Sequence, residues 1–140
     1  MLITTHGKEL GRVSMVDPRG NVVLDEYVRP YGQVIDYKTP WSGLTPYNIQ
    51  SAKCDLYDIQ RALLNFLCTD DVLIGHAFYH DLRVLNLRHP RIIDTIDIYG
   101  NVALKTLARN YLGINIQNGP HDSVEDARAT MDLVRARVFN

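Results

Sequence analysis

The sequence predicts an α/β fold in which helices flank a mixed sheet, and three observations carry that prediction. Two β-rich stretches, Arg12–Val16 and Val22–Val28, are joined by Asp17-Pro18-Arg19-Gly20, with Pro second and Gly fourth as a tight turn favours. From Asp55 onward, helical and strand-like patterns alternate, the order that layers helices on a sheet. Leu104, Leu107, Ala108, Tyr111 and Leu112 fall at i, i+3, i+4, i+7 and i+8, the cleanest helical period in the chain.

Taken in order, residues 1–10 read as a short apolar start and a polar turn around Gly7. The stretches 12–16 and 22–28 form an antiparallel hairpin, with Val22, Leu24 and Val28 on one face. From Arg29 to Lys53 the chain is rich in Pro, Gly, Tyr and Thr without a clean period, so an ordered loop with one short helical turn is expected. Asp55 is placed to cap a helix that buries Ile59, Leu63, Phe66 and Leu67. Val72–Ile74 reads as a buried strand, followed by a Gly75-His76 turn and a helix from Asp81 to about Leu87. A further strand at Ile92–Thr95 ends near Gly100, and Gly113 stops the helix of residues 104–112. Beyond the polar Gln117–Pro120 loop, Asp122 or Ser123 caps a last helix. Glu125 and Asp126 lie in its acid-favouring first turn, and Ala127, Met131, Val134 and Val138 repeat on its core face.

One hundred and forty residues suit a single domain, 1–140, with a core of its own. Hydrophobic residues at 46% and charged residues at 22% are ordinary for a globular chain. No apolar run approaches the ~20 residues of a membrane span, and the N-terminus does not resemble a signal peptide. Cys54 and Cys68 lack metal-ligand spacing and read as reduced, partly buried thiols of an intracellular protein. A net charge of −1 argues against coating long duplex through many phosphate contacts, but it allows a grip on a few terminal nucleotides. Basic residues at Arg83, Arg88, His89 and Arg91, and again at Lys105, Arg109, Arg128, Arg135 and Arg137, suit solvated helix faces as well as a phosphate track.

The chemistry concentrates near the C-terminus. His121 stands just ahead of the last helix, and Asp126 one turn inside it, five residues later. Alone, that spacing reads as a loop histidine and an acid complementing the helix dipole. It gains weight from Val72-Leu-Ile-Gly-His-Ala-Phe-Tyr-His-Asp81-Leu-Arg-Val-Leu85, which sets a second acid in a helix's first turn after a strand and a turn. These stretches, together with Ser42-Gly-Leu-Thr45, resemble the DEDDh 3′→5′ exonucleases. They are most similar to the RNA exonuclease group containing the yeast Rex enzymes and the interferon-stimulated exonuclease, whose last motif reads much like H-S-S-V-E-D-A-R-A-T-M.

That resemblance implies a ribonuclease H-like mixed sheet flanked by helices. It also implies hydrolysis of single-stranded RNA, with single-stranded DNA as a second candidate, from the 3′ end. Two Mg²⁺ or Mn²⁺ ions ~3.5–4 Å apart would activate water and neutralise the phosphate. By the same resemblance Asp81 and Asp126 are catalytic metal ligands and His121 is the general base, for which an imidazole's pKa is well matched. His76 and Phe78 are candidate substrate contacts. A nuclear or nucleolar address is common in the group, although the chain carries no basic localisation tract.

The same resemblance exposes a missing part. The remaining two acids of the family come from a D-x-E on the first strand, usually D-C-E-M with Thr-Thr shortly after it. Here Met1 aligns with the M of that run, and Thr4-Thr5 with the paired threonines. The expectation is therefore a chain truncated just after the D-x-E, lacking most of the first strand, and an inactive or impaired nuclease. Glu9 stands alone and too far along to substitute. Two other readings remain open: a non-catalytic nucleic-acid-binding module, and an interaction piece that takes its missing strand from a partner by β-augmentation.

Overall fold

Turns and caps divide the chain largely where the sequence marks them. The computed structural model describes residues 1–138. Strand β1 (Leu2–Thr4) and strand β2 (Gly7–Glu9) pair antiparallel, so the start of the chain is a hairpin rather than an apolar lead and a turn. Strands β3 (Arg12–Val16) and β4 (Val22–Arg29) form the expected second hairpin. Its turn is closed by Gly20 N–H donating to the Asp17 carbonyl at 2.9 Å, with the Asp17 carboxylate accepting from the N–H groups of Arg19 and Asn21.

The segment expected to be a loop holds more structure. It contains β5 (Val34–Asp36), the helical turn α1 (Thr39–Ser42) and α2 (Pro46–Gln50). Thr45 caps α2 reciprocally with Asn48, a signal hidden by the surrounding Pro and Tyr. Strand β6 (Cys54–Asp55) runs into α3 (Leu56–Phe66), which Asp55 caps as expected, with Asp58 answering. Ile59 and Leu63 are buried, but Phe66 is 56% exposed: it is the last residue of α3, where the helical period no longer dictates the buried face. Of the two thiols, Cys54 is half-buried and Cys68 is exposed.

Strand β7 (Leu73–Gly75), α4 (Tyr79–Leu85) and β8 (Ile92–Asp94) follow, with β7 and β8 parallel. Strand β8 ends one residue earlier than expected because the Asp94 carboxylate accepts from Ile96 N–H, turning the chain into α5 (Thr95–Tyr99). The helix of residues 104–112 is split into α6 (Leu104–Leu107) and a π-helical turn, Ala108–Leu112. Leu104, Leu107 and Ala108 are buried as the period requires. The wider π turn then shifts the register, leaving Tyr111 55% exposed with its ring 4.7 Å from that of Tyr99. Gly113 closes the element in a left-handed conformation.

Helix α7 (Ser123–Val138) is the long element that organises the rest, packing on β3, β7, α5, α6 and the π turn. Its buried positions are Ala129, Thr130, Leu133 and Val134. Ala127 and Met131 are half-buried at the flank, and the side chain of Val138 lies outside the described residues. Arg128 and Arg135 reach back from α7 to the carbonyls of Gly20 and Pro18, clasping the hairpin turn.

The fold is the α/β arrangement of mixed strands flanked by helices, but its sheet is interrupted. The strand orders are β2-β1-β5, β3-β4-β6 and β7-β8. Among the described residues, neither the outer edge of β3 nor that of β7 has a strand partner. Both strands line one cavity of about 790 Å³. Residues from both faces of β3, Val13 and Met15 as well as Arg12 and Ser14, reach it, so the space lies off the strand's edge.

Candidate active site

The five candidate catalytic and substrate-contact residues line that cavity: His76, Phe78, Asp81, His121 and Asp126. They arrive on separate elements, and each is positioned by local chemistry.

Asp81 sits in the first turn of α4, and the approach to it is bent by Asp94. The Asp94 carboxylate accepts from the backbone N–H groups of Ala77 at 2.8 Å and Phe78 at 3.2 Å, besides capping α5. Ala77 is thereby held in the left-handed region, at φ +49°, a conformation costing an L-residue roughly 1–2 kcal/mol. Phe78 packs its ring directly on Gly75, where a Cβ would have no room. Phe78 is only 9% exposed, so most of its ring supports the turn while it also lines the cavity. His76 Nδ1 is hydrogen-bonded to the buried Thr95 hydroxyl at 2.7 Å. Burial pushes the His76 pKa down, against the pull of the Asp94 and Asp126 carboxylates.

Asp126 lies at the start of α7. Asp122 caps this helix, its carboxylate accepting from the N–H groups of Val124 and Glu125 at 2.9 and 3.3 Å. Gln117 donates its side-chain amide to Asp126 Oδ1 at 3.0 Å, and its backbone N–H donates to Glu125. Burial raises the pKa of Asp126, opposed by the Gln117 hydrogen bond and by nearby His121. Burial likewise raises that of Asp81, opposed by the Met1 ammonium and His80 and reinforced by Asp94. Both carboxylates are thus partly desolvated and under-compensated.

His121 is exposed at the rim. Its backbone N–H donates to the Trp41 carbonyl at 2.6 Å. Gly43 ends α1 in a left-handed conformation, φ +71°, and a Cβ there would sit 3.2 Å from Pro120. The Ser42-Gly43-Leu44-Thr45 run thereby acts as a clamp on the loop that carries His121.

Three contributors are not evident from the sequence. Asp94 shapes the turn before Asp81, Gln117 holds Asp126, and Trp41 joins the rim. The signals that could have found them are an acid closing an apolar strand, a side-chain amide just before the last motif, and an aromatic ahead of a Gly turn. Conversely, five of the basic residues considered for a phosphate track are engaged elsewhere: Arg91 with the Asp70 carbonyl, His89 with that of Asp71, Arg128 and Arg135 with the hairpin turn, and Arg137 over the Tyr99 ring. The Lys and Arg side chains lining the cavity are Lys8, Arg12 and Lys38.

The donors suit a hard divalent cation in kind, since such ions take carboxylate oxygens and complete their shell with water and phosphate. They are too few for a pair of ions. Among the described residues, no three His, Cys, Asp or Glu side chains are grouped to hold a metal.

No protein-family model matches the chain. Across its full length it is 38% identical to RNA exonuclease 1 of Saccharomyces cerevisiae, over 148 aligned residues that cover 100% of this chain and 27% of that protein. The chain belongs to the DEDDh RNA exonuclease family. Solved structures agree. The Neurospora crassa Pan2 catalytic unit, a protease and nuclease domain, superposes with a TM-score of 0.87 at 27% identity, covering 96% of this chain and 25% of that one. The Saccharomyces cerevisiae Pan2 pseudoubiquitin hydrolase–RNA exonuclease module in complex with A7 RNA gives 0.81 at 28% identity, covering 92% and 24%. This DEDDh-family chain thus spans about a quarter of the length of these relatives.

Proposed function

We propose that this domain hydrolyses single-stranded RNA from the 3′ end, with single-stranded DNA as a second substrate, and that Asp81, Asp126 and His121 carry the chemistry. The observation that supports this reading is the convergence of the three residues, from α4, α7 and the loop between Gln117 and α7, on one cavity. The RNA-bound Pan2 relative supports single-stranded RNA as the partner.

In this reading Asp81 and Asp126 bind Mg²⁺ or Mn²⁺, which when bound neutralises the scissile phosphate and lowers the pKa of attacking water. Their partial burial leaves negative charge that a cation would compensate. His121, exposed at the rim and tethered through its backbone, takes the proton from the water as it attacks phosphorus, and the 3′-oxygen of the preceding nucleotide leaves. Gln117 keeps Asp126 oriented by its hydrogen bond. With two carboxylates where the family resemblance implies four, the 140-residue chain is inactive or impaired by itself.

The second reading, a non-catalytic nucleic-acid-binding module, is favoured by that same shortage of ligands. A Mn²⁺-dependent degradation assay on end-labelled single-stranded RNA separates the two. It compares the chain, Asp81→Asn, and a version with a D-x-E strand joined ahead of Met1. Digestion by the extended protein alone, abolished by Asp81→Asn in it, supports the nuclease reading. An extended protein that binds RNA without ever cutting it, whatever the metal, sinks that reading in favour of the module.

A further inference from the structure

We infer that the outer face of α4, carrying Tyr79 and Arg83, binds the nucleotides of a single strand that lie upstream of the one held in the cavity. The inference rests on the proposed binding of single-stranded RNA and adds a subsite outside the cavity.

Helix α4 has two faces of different character. Asp81, Leu82 and Leu85 line the cavity, whereas Tyr79, His80 and Arg83 are exposed. Tyr79 is 59% exposed, and its ring lies 4.1 Å from that of His80, tilted by 35°. Arg83 follows Tyr79 by four residues, so the two share one side of the helix about one turn, ~5.4 Å, apart. Four of the basic residues considered for a phosphate track, Arg83, Arg88, Lys105 and Arg109, have side chains without an ion pair, hydrogen bond or ring contact among the described residues. Of these, Arg83 alone rides a helix that also delivers a candidate metal-binding carboxylate, Asp81.

Charge and ring chemistry select the occupant. Residues 79–91 hold three arginines and a single carboxylate, Asp81, which lines the cavity, in a chain whose net charge is −1. The backbone that carries these cations is fixed. Asn86 ends α4 in a left-handed conformation, and the side chains of His89 and Arg91 hold the carbonyls of Asp71 and Asp70. An anionic ligand therefore meets positive charge on an ordered segment, with little conformational freedom to lose beyond the side chains themselves. An acidic peptide would use the arginines but not the exposed rings. A single-stranded nucleic acid uses both, because it alternates π-faces with phosphates.

Tyr79 and Arg83 lie outside the cavity lining and are exposed, so Tyr79→Ala and Arg83→Gln are expected to melt as the original chain does. Anisotropy in EDTA, where no bond is cut, compares a labelled twelve-nucleotide single-stranded RNA with a four-nucleotide one. The original chain is expected to bind the longer strand about tenfold more tightly. Tyr79→Ala should weaken the longer strand about tenfold and Tyr79→Phe scarcely at all. Arg83→Gln should lower the slope of log affinity against log salt for that strand by about 0.7. Neither variant should change the affinity of the four-nucleotide RNA, whereas a defect in folding would weaken both lengths together. Equal losses at both lengths, no gain from length in the original chain, or longer-strand affinity and salt slope unchanged in both variants overturns the subsite while leaving the RNA-binding reading intact. Absence of RNA binding by every version, including one extended with a D-x-E strand, overturns both.

Discussion

The backbone N–H of His121 donates to the carbonyl of Trp41, so the loop carrying the candidate base is fastened to a helical turn eighty residues earlier. Gly43 makes this junction possible. Its left-handed φ of +71° and the 3.2 Å that a Cβ would leave to Pro120 both oppose any larger residue. Gly43→Ala is expected to cost about 1–2 kcal/mol of stability from the backbone alone, measured by urea unfolding. Unchanged stability would show that the clamp relaxes freely.

Asp81 and Asp126 make opposite demands on stability and on cation binding. Burial raises both pKa values in the folded state, so each group's contribution is fully present below its unfolded pKa and is lost as pH rises through the raised folded one. In EDTA at neutral pH, Asp81→Asn and Asp126→Asn are therefore expected to melt no lower than the original chain, and to lose less stability between acid and neutral pH. Thermal melts across that range, with and without Mn²⁺, check this. Stabilisation by Mn²⁺ in the original chain but not in either variant would locate the cation at this pair. Equal stabilisation in all three would remove it from there.

Asp122 caps the helix that presents Asp126, through two hydrogen bonds to Val124 and Glu125, and also lies 3.6 Å from Arg12. Asp122→Ala is expected to destabilise the protein by about 1 kcal/mol. Hydrogen exchange should quicken at Val124 and Glu125 while the amides around Leu133 stay protected, since the helix is held there by its buried face. Uniform loss of protection along α7 would contradict a local role.

Gln117 is the only side chain hydrogen-bonded to the Asp126 carboxylate among the described residues. Gln117→Leu removes an interaction that opposes the burial-induced rise. The Asp126 pKa is therefore expected to move further up, as read from its side-chain carbon shift in an NMR pH titration. A downward move would mean that water replaces the amide more effectively.

The exposed pairing of Arg12 with Asp25, at 2.9 and 3.1 Å, holds the Asp25 pKa down through the Arg12 hydrogen bond. A depressed pKa adds stability that is present above the unfolded value and lost as pH falls through the folded one. Arg12→Leu is expected to cost under about 1 kcal/mol at pH 7 and nothing at low pH, measured by denaturant unfolding at both.

Much of this protein is legible locally. Asp55 and Asp122 cap their helices because a carboxylate beside free N–H groups acts whatever the distant surroundings. The Asp17–Gly20 turn closes its hairpin for a similarly local reason. Asp81, His121 and Asp126 are legible because their motifs are runs of neighbouring residues, and all three do reach one cavity. Phe66 and Tyr111 depart from expectation because helical period says which side chains share a face, but not where a helix ends or widens into a π turn.

What only the tertiary structure decided lies across large sequence separations. The bond from His121 to Trp41, the Asp94 grip on Ala77 and Phe78, and the cavity lined by β3 and β7 join residues that no local pattern relates. Sequence determines which chemical groups are available and which short elements they ride on, because caps, turns and periodicity depend on nearest neighbours. Which of those groups meet depends on how the elements pack, and packing energy is a property of the whole chain.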